Sequence, residues 1–73
     1  MIVDQIHSDL RNMIELLPAE QREVLRMRIY DDLSFKEIAD LTKVSINTAL
    51  GRMRYALINL RKMAEMNNVS LSY

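Results

Sequence analysis

Between Lys43 and Tyr55 the chain reads KVSINTALGRMRY, which places Lys43, Ser45, Asn47, Thr48, Arg52, Arg54 and Tyr55 close together. Ammonium, hydroxyl, amide and guanidinium groups at this density are hydrogen-bond donors, and phosphate oxygens and base edges are acceptors that use many donors at once. Arg54 has the fork that pairs bidentately with guanine. Leu50 can offer only methyl groups, which suit a thymine methyl, and Gly51 lets a backbone come close. Neither Leu50 nor Gly51 can donate a side-chain hydrogen bond, so any reading of bases rests on few groups.

Other chemistries fit less well. The acids and the lone His7 lie along expected helix faces and helix starts, with no glycine-rich phosphate loop beside them. The expectation is a protein that is not an enzyme and takes no cofactor. Without cysteine there is neither a disulfide nor a thiolate metal site, and one histidine does not assemble a metal site unaided. The N-terminal MIVDQIHSDL carries acids where a signal peptide carries bases, and no apolar run is long enough to span a membrane. A cytoplasmic protein with no membrane partner is expected.

Net charge is zero over 73 residues, but it is unevenly spread. Residues 1–37 hold eight acids against five bases, a net −3, and residues 38–73 hold five bases against two acids, a net +3. Such a polar molecule presents its basic half to a phosphate backbone and turns its acidic half away.

The elements that would position these groups are all helical. One glycine, one proline and few β-branched runs point to an all-α domain of about four helices spanning residues 1–73. Ile2, Ile6, Leu10, Met13, Ile14 and Leu17 form a first amphipathic stripe, ended by Pro18. A second helix is expected from Pro18 to about Tyr30, with Val24, Leu25 and Ile29 inward. Asp31 and Asp32 favour a turn. Ser34 with Glu37 three residues on is a capping box, opening a short helix to about Leu41. Thr42, Lys43 and Val44 connect it to Ser45, a second N-cap with Thr48 at the third helical position. The last helix should run from Ile46 to Met63 or beyond, and the tail over 67–73 should fray.

A short capped helix, a tight connection and a longer capped helix make a helix-turn-helix, here about 34–57. Ala39 would allow the two helices to cross closely, with Ile38, Leu41, Val44, Ala49 and Met53 filling the angle. Capping by Ser45 leaves the positive end of the last helix available to phosphate.

The stretch from Leu17 to Lys62, nearly two-thirds of the chain, resembles region 4 of bacterial RNA polymerase sigma factors, especially the extracytoplasmic-function group. Its ordered signatures are Leu17-Pro18 with Arg22 and Leu25, then Leu33-Ser34 with Glu37-Ile38-Ala39. They continue through Val44-Ser45, Thr48, Arg52, Ala56, Leu60 and Arg61. LuxR-type response-regulator domains share the Leu-Ser-x-x-Glu-Ile-Ala core but normally lack the Leu-Pro opening.

The resemblance implies recognition of the promoter −35 element and docking on the β flap of core RNA polymerase. It also implies a region 2, for which this chain has no room. The chain is therefore expected to be the C-terminal domain of a longer sigma factor or a standalone sigma-like regulator. The DNA-contacting set is expected to be Lys43, Ser45, Asn47, Thr48, Leu50, Gly51, Arg52, Arg54 and Tyr55.

Three departures from the family pattern stand out. Asp32 and Lys43 occupy positions where the family often has glycine. Leu50 and Gly51, with Arg54, occupy positions from which the family tends to read bases. Tyr55, Leu57 and Ile58 replace residues that are usually charged. Ile46, Leu50, Met53, Leu57, Leu60 and Ala64 also follow the steps of a helix-pairing seam. This supports an alternative: a helical interaction or dimerisation module, with Leu57, Ile58 and Arg61 as the partner interface and an anti-sigma protein or a second copy as the partner.

Overall fold

The computed structural model describes residues 10–66. They form a helical segment over residues 10–15 (α1), then α2 (Ala19–Ile29), α3 (Phe35–Thr42) and α4 (Ile46–Met66). Ile2, Ile6, His7 and the 67–73 tail lie outside the described residues.

α1 closes with a tight turn, in which the Leu16 and Leu17 amides donate to the Met13 and Ile14 carbonyls at 3.1 Å each. Pro18, at φ −53° and ψ 145°, is the N-cap of α2 rather than a residue of its first turn. Its carbonyl accepts the Arg22 amide at 2.9 Å. Glu20 in the first turn of α2, and Arg26 and Arg28 in the last, complement the helix dipole. Arg22 and Arg26 both reach back to the Glu15 carboxylate, fixing the α1–α2 corner.

Between α2 and α3 the Tyr30 and Asp31 amides converge on the Arg26 carbonyl at 2.8 and 3.3 Å, and Asp32 takes a left-handed φ of 54°. Arg28 straddles this break. It donates to the Leu33 carbonyl at 3.0 Å and lies 5.2 Å from the Phe35 ring centroid, a cation–π distance. The expected capping box is formed: the Glu37 amide donates to Ser34 Oγ, and the Ser34 amide donates to Glu37 Oε1, each at 3.1 Å. The bond from the Ser34 backbone, and secondarily that from its hydroxyl, holds the Glu37 carboxyl below its ordinary value.

The break between α3 and α4 uses the same parts more tightly. The left-handed residue is itself one of the two converging donors, whereas α2 ends on right-handed Tyr30 and turns left-handed at Asp32. The Lys43 and Val44 amides both donate to the Ala39 carbonyl, and Lys43 is left-handed at φ 58° and ψ 43°. That geometry explains why glycine is at home at both positions: a β-carbon costs about 1–2 kcal/mol there.

Two apolar clusters hold the helices together. One joins Met13, Ile14 and Leu17 to Leu25 and, on α4, to Ala56, Leu60 and Ala64. The other joins Val24, Ile38, Ala39 and Ala49, with Leu33, Phe35 and Val44 packed around it. Neighbouring residues Val24 and Leu25 serve different clusters, and Met53 packs on both, so α2 and Met53 make them one core. Leu25→Ala should cost about 2–5 kcal/mol. Ala39 and Ala49 are both buried where α3 crosses α4, as the close crossing requires.

Two expected core residues lie outside. Ile29 is 55% exposed at the end of α2, and Leu41 is 61% exposed on the flank of α3. α3 is eight residues long, and Ile38 and Ala39, with Phe35 and Val44 alongside, already fill its inward face. The expected seam of α4 is also divided: Met53, Leu60 and Ala64 belong to the domain's own core, leaving Ile46, Leu50 and Leu57 outward.

Candidate nucleic-acid interface

α4 begins at a hydroxyl cap. Ser45 Oγ accepts the Thr48 amide at 3.1 Å and bonds the Thr48 hydroxyl at 2.9 Å. This pair satisfies one first-turn amide without adding a negative charge, so the positive end of α4 stays open to an anion. The left-handed turn sets Lys43 immediately before that end, exposed and, among the described residues, without an ion-pair partner.

From this start α4 distributes its side chains by helical period. Ala49, Ala56 and Leu60 face the core. Asn47, Gly51, Arg54 and Ile58, at steps of four, three and four, run along the opposite side, and Asn47, Arg54 and Ile58 are exposed. Leu50 flanks them on one side, and Thr48 and Tyr55 lie on the other, all exposed. Nothing stands within 4 Å of where a β-carbon of Gly51 would lie, so the glycine leaves a shallow place in the outer face. Lys43, Asn47, Leu50 and Arg54 thus form one solvent-facing surface that runs from the turn along the first turns of α4.

Arg52 lies apart from this surface. It points toward α2, where its guanidinium sits 3.7 Å from the Glu20 carboxylate and is only half-exposed. One turn-pair further on, Asn59 donates to Gln21 Oε1 at 2.7 Å. Arg52 and Asn59 therefore form a polar seam between α2 and α4. Glu20 and Gln21 are positioning residues that the sequence did not single out, since the contacts join residues 32 and 38 apart. Arg61, beyond the groove-sized part of the helix, is exposed.

Among the described residues no three His, Cys, Asp or Glu side chains gather as a metal site. No described helix is long and apolar enough to cross a membrane.

A capped α3, a three-residue connection with a left-handed cation and a longer α4 with an open positive end make up a helix-turn-helix. Compared with known proteins, the chain finds no match among curated ones. The family model of sigma-70, region 4, matches it over residues 7–57, 51 of its 73 residues, and that span contains α2, α3, the turn and the outward-facing first half of α4. The chain with this helix-turn-helix belongs to the sigma-70 region 4 family, DNA-binding domains of transcription initiation and not a family of enzymes.

Proposed function

We propose that this domain recognises a −35-type promoter duplex, with the first turns of α4 in the major groove, while contacting core RNA polymerase at its β flap. One observation carries the DNA reading. Lys43, Asn47, Leu50 and Arg54 share a solvent-facing surface at the open end of α4, on the side away from both apolar clusters. Lys43 and the first-turn amides of α4 meet phosphate and set the register. Arg54 pairs with a guanine and Leu50 meets a thymine methyl, with Gly51 admitting close approach. Arg52, drawn toward Glu20, reaches phosphate at the groove edge. With so few base-reading groups, DNA shape and backbone contacts supply much of the selectivity.

Titration of labelled −35 duplex and of a scrambled duplex, at several salt concentrations, tests this. Arg54→Ala should weaken the cognate duplex by about 1–3 kcal/mol and leave the scrambled one nearly unchanged, flattening the preference. Absence of binding to either duplex at low salt, where phosphate attraction is strongest, sinks the proposal.

A further inference from the structure

Lys43, Arg52 and Arg54 are the cations of the expected DNA-contacting set, and their surroundings differ. Lys43 and Arg54 are exposed and, among the described residues, in no ion pair. Arg52 instead faces the Glu20 carboxylate of α2 at 3.7 Å. The contact is loose: it is longer than a hydrogen bond, and the Glu20 side chain is 73% exposed. Exposed ion pairs of this kind add little to stability. Nor does the packing of α2 on α4 depend on it. Leu25 shares an apolar cluster with Ala56 and Leu60, and Asn59 bonds Gln21 at 2.7 Å. α4 carries no acid of its own before Glu65, and among the described residues Glu20 is the sole acid paired with it. Arg52 lies one turn after Thr48, on the flank of α4 that leads back to the Ser45 cap. A carboxylate from another helix therefore meets the one cation of this set that stands at the groove edge.

We infer that Glu20 is a brake on phosphate binding: its carboxylate occupies the Arg52 guanidinium in place of a DNA phosphate, and DNA must displace it. The inference rests on the DNA reading above. Two anions compete for one guanidinium, and the tethered one also repels the other, so the domain attracts DNA with about one cation fewer than its sequence contains. Phosphate contacts carry no sequence information, so the brake acts on every duplex alike and leaves discrimination to Arg54 and Leu50. Such a device suits a helix with few base-reading groups. Non-specific sites far outnumber targets, and strong phosphate attraction would hold the domain on them. A brace between α2 and α4 would call for a closer and less exposed pair than this one.

Fluorescence anisotropy of labelled −35 and scrambled duplexes with the full chain, from about 50 to 200 mM salt, tests this. Glu20→Gln should bind both duplexes about fivefold tighter at low salt. Its salt slope should steepen by about 0.9, the counterion release of one more neutralised phosphate. In an Arg52→Gln background the same substitution should gain less than about twofold, since no guanidinium is there to be freed. Glu23→Gln removes an equal charge one turn along α2, from an exposed acid in no ion pair among the described residues. It should change binding by less than about twofold. The melting temperature of Glu20→Gln should stay within about 4 °C of wild type. Equal gains with and without Arg52, or an equal gain from Glu23→Gln, reduce Glu20 to a general charge and overturn the inference. A much lower melt together with weaker binding makes the pair a structural brace and overturns it as well. If wild type binds duplex and Glu20→Gln binds no tighter, this inference falls and the DNA reading stands. If neither wild type nor any variant binds at low salt, both fall.

Discussion

The breaks before α3 and before α4 assemble the same parts, a left-handed residue, a carbonyl shared by two amides and a serine cap, in different spacing and among residues of different charge. Each places a non-glycine residue in left-handed geometry, Asp32 in one and Lys43 in the other. In each, two consecutive amides converge on one carbonyl, of Arg26 or of Ala39. Each hands the chain to a serine N-cap whose hydroxyl accepts an amide three residues on. At the first break Asp31, Asp32 and the ionised Glu37 outnumber Arg28 and Lys36, and Glu37 neutralises the positive end of α3. At the second, Lys43 and the neutral Thr48 leave the positive end of α4 uncompensated. The serine cap is therefore not what distinguishes the start of α3 from the open start of α4. The difference lies in the charge of the residues around it.

The largest effect should come from reversing that charge. Lys43→Glu puts an acid beside the open end of α4, and duplex affinity at low salt should fall by about tenfold or more, with a salt slope shallower by about one unit. An acid there also opposes the C-terminal dipole of α3, costing up to about 1 kcal/mol of stability. Lys43→Gln removes the cation without that repulsion and should still reduce the salt slope. Asp32→Lys, likewise two residues before a serine cap, should leave the slope within error if, as proposed, the start of α4 is what meets phosphate. If Asp32→Lys and Lys43→Glu shift the slope comparably, the two breaks are not functionally distinct.

The second effect concerns backbone strain that the two breaks share. Lys43→Gly removes the β-carbon from a left-handed position and should stabilise the domain by about 1 kcal/mol, or roughly 4–8 °C in Tm for a chain of this size. Asp32→Gly should gain less, since aspartate tolerates this geometry better than lysine does. Only Lys43→Gly should weaken the duplex. A thermal melt paired with a duplex titration separates the strain from the charge. An unchanged melt for Lys43→Gly would mean that the turn carries no strain that glycine relieves.

Much of this comparison was legible in the residues themselves. Ser34 with Glu37, and Ser45 with Thr48, announce helix starts because each cap closes within three residues. Such contacts need no knowledge of the rest of the fold. Ala39 likewise points to a close crossing. Ile29 and Leu41 were misplaced inward because a helical period marks a face but not its width. In α3 the width is set by Phe35 and Val44, which close over Ile38 and Ala39. On α4, two overlapping stripes satisfied the same period. The approach of α1 and α2, a tertiary fact, took Leu60 and Ala64 into the core and left Leu57 outside. For the same reason the pairing of Arg52 with Glu20 could not be read from spacing. It sets Arg52 apart from Arg54, although the sequence places both in the DNA-contacting set.

The smallest effect tests the acidic side of the comparison through pH. The carboxyl of Glu37 is held below its ordinary 4.5 by the Ser34 amide and hydroxyl. A depressed carboxyl contributes stability that is fully present above the unfolded-state value and is lost as pH falls through the lower folded value. Wild type should therefore exceed Glu37→Gln in stability from neutral pH down to about 4.5, and the gap should close as the solution becomes more acidic. Glutamine can still accept the Ser34 amide bond, so the gap isolates the charge at the start of α3 from the capping geometry. The start of α4 should behave differently: Thr48→Gln introduces no titrating group, and its difference from wild type should stay level over the same range. Urea denaturation at several pH values reads both. A gap for Glu37→Gln that is flat with pH would mean that the carboxylate adds nothing beyond the hydrogen bond. The contrast between a neutralised and an open helix start would then rest on Lys43 alone.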